Sequence, residues 1–75
     1  MNVSIKYCSE WNYLPHASRV EEELKAAFAD MNVQLIPGHG GVFEVKLDKK
    51  LIYTKSEKGR FPEDGEISSL IKDSA

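Results

Sequence analysis

Only one cysteine, Cys8, occurs in the 75 residues, so no disulfide can close within the chain. Secreted domains of this size normally depend on several bridges, and a lone thiol fits a reducing compartment, the cytoplasm. No apolar run approaches the roughly 20 residues that a membrane helix requires. The amino terminus, Met1-Asn2-Val3-Ser4-Ile5, has no basic stretch leading into a long apolar segment, so no signal peptide is read there. Positive charge is not in excess either: 10 Lys and Arg against 12 Asp and Glu leave a net charge of −2. Such a balance gives no general attraction to nucleic-acid backbones or to a membrane surface. Soft metal ligands are scarce. Cys8, His16 and His39 show no finger-like spacing and lack a fourth partner, so no metal site is expected.

What remains is the composition of an ordinary globular protein, 41% hydrophobic and 29% charged, expected to form one domain over residues 1–75. Val3, Ile5 and Tyr7 alternate with polar residues, which predicts a first strand ending at Cys8. From about Leu14 to Asp30 the apolar positions Leu14, Ala17, Val20, Leu24, Ala27, Phe28 and Met31 recur at three- and four-residue steps, the pattern of an amphipathic helix. Pro15 suits its first turn. Val33-Gln34-Leu35-Ile36 predicts a second strand, stopped by the glycine-rich loop Pro37 to Gly41. Val42 to Leu47 and Leu51 to Thr54, joined by Asp48-Lys49-Lys50, read as a β-hairpin. Ile67, Leu70 and Ile71 mark a last helix within Pro62 to Ser74, behind the acidic residues Glu63, Asp64 and Glu66.

The order is β-α-β-β-β-α. A strand, a helix of some sixteen residues and another strand form a crossover, so the first two strands should be parallel and the later pair an antiparallel hairpin. This α/β arrangement, a small mixed sheet with helices packed on it, resembles a minimal thioredoxin-like plan. The competing order, β-α-β-β-α-β, needs a strand after the last helix, and no strand-like run follows Ser74.

In a strand-helix-strand unit the loop after the first strand leads toward the helix amino terminus, where unpaired N–H groups and the dipole favour an anion. Cys8 falls there. Such a position can favour the thiolate, which is the nucleophilic form. The alternative is a buried cysteine acting as a small hydrophobe.

Four segments together resemble the selenoprotein W-like (Rdx) proteins of the selenoprotein T, W and H group. They are Tyr7-Cys8-Ser9-Glu10-Trp11, Gly40-Gly41-Val42-Phe43-Glu44-Val45, Leu51-Ile52-Tyr53-Thr54-Lys55 and Gly59-Arg60-Phe61-Pro62. The resemblance spans nearly the whole chain. It implies a thioredoxin-like fold and a redox role, with glutathione or a thiol protein as partner and no other cofactor. It also implies a C-x-x-C or C-x-x-selenocysteine motif whose first cysteine is Cys8. Trp11 then occupies the second position, and an indole cannot resolve a mixed disulfide, so two-thiol cycling is closed to this sequence. Monothiol chemistry at Cys8 remains, as a sulfenic acid, a glutathione adduct or an intermolecular disulfide. Two accounts of Trp11 stay open: a stand-in for selenocysteine, whose UGA codon is one base from UGG, or a natural variant without a resolving residue. The contrasting functional expectation is a non-catalytic interaction module that uses the loop around Trp11 and Tyr13. The segment points to no particular oligomeric state.

Other charged groups read as surface. Glu21-Glu22-Glu23 should form a solvated helix face, with Glu21 paired to Lys25. Lys46, Lys49, Lys50, Lys55, Lys58 and Arg60 gather in the hairpin and the segment after it, where they protect an edge or guide an anionic partner. His16 is expected to be exposed in the first helical turn. His39 is expected in the glycine loop near Cys8.

Overall fold

The computed structural model describes residues 1–74. Its elements are β1 (Asn2–Cys8), α1 (Leu14–Ala27), β2 (Asn32–Gly38), β3 (Phe43–Leu47), β4 (Lys50–Thr54), α2 (Lys55–Lys58) and α3 (Glu66–Ser74). The four strands form one sheet in the order β2-β1-β3-β4. β1 and β2 run parallel, from Asn2 opposite Asn32 to Cys8 opposite Gly38. β3 lies antiparallel to both β1 and β4, with a bulge between Val45 and Lys46. The expected mixed sheet and hairpin are therefore present.

Alternation along the strands decides which face is covered. Val3, Ile5, Phe43, Val45 and Tyr53 point to one side, where they meet Ala17, Val20 and Leu24 of α1 and Ile67 and Ile71 of α3. All of these are essentially inaccessible to solvent. Burying the apolar stripe of each helix supplies most of the stability of elements too short to persist alone. No helix among the described residues is long and apolar enough to cross a membrane.

Several boundaries depart from the sequence expectation. α1 ends at Ala27, three residues early, because Phe28 turns to an extended backbone while its N–H still bonds to the Leu24 carbonyl at 2.9 Å. β2 continues through Pro37 and Gly38. Asn32 N–H donates to the Met1 carbonyl and Ser9 N–H donates to Gly38, so even-numbered residues of β2 face β1. Pro37 therefore occupies a position whose missing N–H would have pointed away from the sheet, where proline is tolerated. The four-residue α2 was not expected. Thr54 caps it, its hydroxyl accepting from Ser56 N–H, and Gly59 closes it in the left-handed region at φ 72°. α3 begins at Glu66, because residues 63–65 form the turn that leads into it.

Candidate functional site

Cys8 closes β1. Its N–H donates to the Val42 carbonyl at 2.8 Å, and its carbonyl accepts from Tyr13 N–H at 3.2 Å. The thiol is free of any disulfide and wholly buried, at 0% exposure. The strand ends at Cys8 as expected, and its thiol is shut off from solvent, the setting of the buried alternative. α1 starts at Leu14, also as expected, with Tyr13 as its cap residue, so a loop of residues 9–13 lies between Cys8 and the helix. That loop is pinned at both ends. Ser9 N–H and Ser9 Oγ both donate to the Gly38 carbonyl at 3.1 Å, and Asn12 makes the turn in the left-handed region at φ 59°, a conformation asparagine tolerates.

Trp11 is the projecting residue of this loop, 61% exposed. Its indole rests on Gly41: a Cβ there would lie 2.9 Å from Trp11 Cε3 and 3.1 Å from Cη2, and nearer still to Cζ3. The ring also meets Tyr13 edge-on, with centroids 6.1 Å apart. Tyr13 continues the contact to Phe61 at 4.7 Å, and Phe61 to the core residue Phe43 at 5.3 Å. His16 lies flat on Phe61, with ring centroids 3.7 Å apart and planes within 5°. Rather than an exposed first-turn side chain, His16 is a half-buried member of an aromatic row that runs from Trp11 to the core. Lys55 Nζ stands 5.3 Å from the Phe61 centroid and 5.8 Å from that of Tyr13, close enough for a cation–π attraction.

On the β4 side of the Gly40–Val42 segment is an open cleft of about 260 Å³, lined by Gly40 to Glu44 and by Thr54, Lys55 and Ser56. The Gly40–Val42 backbone is thus a shared wall. It carries the indole seat, holds Cys8 N–H, and borders a cleft with one cation and one carboxylate on its rim. His39 is exposed in the same loop. Among the described residues no three His, Cys, Asp or Glu side chains are placed to hold a metal ion.

The acidic run on α1 divides. Glu21 pairs with Lys25 at 3.3 Å as expected. Glu23 instead reaches α3, its two carboxylate oxygens accepting from Gly65 N–H at 2.8 Å and Ser68 N–H at 3.2 Å. Arg60 is also committed, since its guanidinium grips both oxygens of Glu66 at 2.7 and 3.0 Å. Those bonds, with help from Glu63 N–H, hold the Glu66 carboxyl down to about 2. The importance of Gly41, Phe61 and Glu23 escaped sequence reasoning. In the sequence Gly40 and Gly41 read only as a turn, and the contact of Gly41 with Trp11 is visible only in the fold.

Comparison with known proteins places this arrangement in company. The sequence profile described as the Rdx family matches residues 2–73. A selenoprotein W-related protein from Vibrio cholerae, of known crystal structure, superposes with a TM-score of 0.91 at 27% identity, covering 96% of this chain and 92% of that one. A Bordetella parapertussis protein of known crystal structure superposes with a TM-score of 0.85 at 29% identity, covering 99% and 96%. Mouse migration and invasion enhancer 1 is 28% identical over 76 residues, covering 96% of this chain and 63% of that protein's length.

Proposed function

The chain belongs to the Rdx family, and from that premise we propose that it is a thiol redox protein of cellular redox homeostasis in which Cys8 is the only working sulfur. The observation that carries the reading is the position of Cys8, the last residue of the strand that leads into the crossover helix, in a fold matching a selenoprotein W-related structure over nearly its whole length. The cytoplasm is the proposed location, since a single free thiol suits a reducing compartment.

The chemistry proposed is monothiol exchange with glutathione disulfide. The Cys8 thiolate attacks one glutathione sulfur. A Cys8–glutathione bond forms, the glutathione S–S bond breaks, and glutathione thiolate leaves and takes a proton from solvent. An outside thiol reverses the step, because Trp11 offers no second sulfur. Cys8 has no exposed surface, so attack requires the loop between β1 and α1 to open. The cleft beyond Gly41, with Lys55 on its wall, supplies a cation for a glutathione carboxylate. The seat under the indole supports tryptophan, rather than a lost selenocysteine, as the working residue at position 11. A UGA codon there in the native gene would overturn that.

The test is intact-mass analysis after incubation with glutathione disulfide. One adduct is expected on the native protein, removable by excess thiol and absent from Cys8→Ser. A thiol that reacts only after denaturation would refute the redox reading. It would leave the interaction module, which the complete burial of Cys8 and the exposure of Trp11 favour. Trp11→Cys should then tell whether position 11 is the motif partner: a redox-active dithiol is expected, and its failure to form would show that the position was misassigned.

A further inference from the structure

The two edges of the sheet are unlike. β4 is an edge of five residues that begins at Lys50, follows Lys49, and pairs with β3 across a bulge. Lysines and bulges of this kind discourage a further strand from adding. β2, the opposite edge, is seven residues long, Asn32-Val33-Gln34-Leu35-Ile36-Pro37-Gly38, and carries no charge. Its register with β1 is regular throughout.

The hydrogen bonds at its two ends fix what the free side presents. Asn32 N–H donates to Met1 and Gly38 accepts from Ser9, so the even residues are spent on β1. The odd residues, Val33, Leu35 and Pro37, aim their backbone groups outward. That leaves two N–H donors, on Val33 and Leu35, and three carbonyl acceptors. The geometry points to a second copy of this chain as the occupant, with β2 pairing antiparallel to its own counterpart about a two-fold axis through Gln34. Val33 then faces Leu35 of the other copy, and Leu35 faces Val33. Each of these pairs exchanges two N–H···O bonds, so all four outward donors are used. Pro37, lacking a donor, falls outside the bonded pairs. On the helix side the half-buried Val33 and Leu35, which already lean on the core, complete each other's cover. On the open side Gln34 meets Gln34, and no charge opposes itself. The result is one continuous sheet of eight strands with a self-complementary, closed interface. An edge this short buries less than a permanent interface does, so the dimer is weak and governed by concentration.

Sedimentation equilibrium of the full chain, with concentration raised toward the millimolar range, tests this. A monomer–dimer equilibrium is expected for the native protein. Gln34→Lys places two like charges directly opposite and should weaken the dimer about fivefold or more. Gln34→Glu should do the same, and an equimolar mixture of the two variants should recover association. Gln34 is exposed, so both variants should keep the native circular dichroism spectrum. Hydrogen exchange on the unaltered chain gives an independent reading, since the Val33 and Leu35 amides should gain protection as concentration rises. A native chain that stays monomeric throughout, a dimer indifferent to both substitutions, or Val33 and Leu35 amides that exchange freely at every concentration would overturn the proposal. Binding by an unrelated extended peptide, without self-association, would overturn it as well.

Discussion

Replacing Gly41 by alanine tests the seat beneath Trp11, and Gly40 provides its control. Both glycines are left-handed, at φ 72° for Gly40 and 78° for Gly41, but a Cβ at Gly40 meets nothing within 4 Å, whereas one at Gly41 enters the indole ring. The backbone cost is therefore common to both, about 1 kcal/mol. The difference is what Trp11 loses on being pushed off. With 61% of its surface exposed, about two-fifths is covered, on the order of 100 Å² of a large aromatic. Losing all of that would cost about 2.5 kcal/mol. Tyr13 supplies part of the cover and keeps it, so Gly41→Ala should be less stable than Gly40→Ala by about 1 kcal/mol. Urea unfolding followed by far-ultraviolet circular dichroism measures both. Trp11 is the only tryptophan, so its emission should shift to the red in Gly41→Ala alone. The decisive comparison is a double-mutant cycle. In a Trp11→Ala background the two alanine substitutions should cost the same. Equal costs with Trp11 present, or an excess that survives its removal, would refute the argument.

Three further outcomes are expected. The Glu66 carboxyl is held to about 2 against an ordinary 4.5 by Arg60 and then Glu63 N–H, so its contribution is fully present above about 4.5 and is lost as pH falls through about 2. Solvent reaches the pair, which limits the effect to about 1 kcal/mol, and Glu66→Gln should flatten that part of an acid-denaturation curve. Tyr53 has its pKa raised above 10, chiefly by burial and against the pull of Arg60. Stability from its protonated form should be present below that pH and lost as pH rises through the folded value, and Tyr53→Phe should abolish this alkaline limb. The same substitution removes the hydroxyl that donates to the Arg60 carbonyl, at about 1 kcal/mol in urea unfolding at neutral pH. Glu23→Ala should cost about 1–2 kcal/mol, as the loss of a helix cap does, and thermal melts should show it to be worse than Glu22→Ala.

The sheet and both long helices were readable because each carries a hydrophobic period over enough residues to be distinctive. β1 shows three alternating apolar positions, and α1 repeats its stripe over four turns. α2 has no such period: Lys55-Ser56-Glu57-Lys58 is wholly polar, and only the flanking Thr54 and Gly59 betray it. Pro37 misled because proline usually ends a strand, and its tolerance here depends on which way one absent N–H would have pointed, a matter of register rather than composition. At the site, the position of Cys8 at the strand end was legible but its burial was not. Nothing local to Cys8 reports how completely the folded chain shuts its thiol off from solvent. Glu23 was misjudged for a related reason. One carboxylate in a run of three looks solvated until α3, more than forty residues on, is folded against it.

That same carboxylate bears on the order of assembly. The first turn of α3 is satisfied by a side chain from α1, and nine residues are too few for a helix to persist alone. The Gly65 and Ser68 N–H groups therefore lack this acceptor until α1 has formed and packed on the sheet, which makes α3 a late arrival in folding. Kinetically, Glu23→Ala should accelerate unfolding while leaving the refolding rate nearly unchanged, a φ-value near 0. A refolding rate that falls in proportion to the lost stability would instead put α3 in the nucleus.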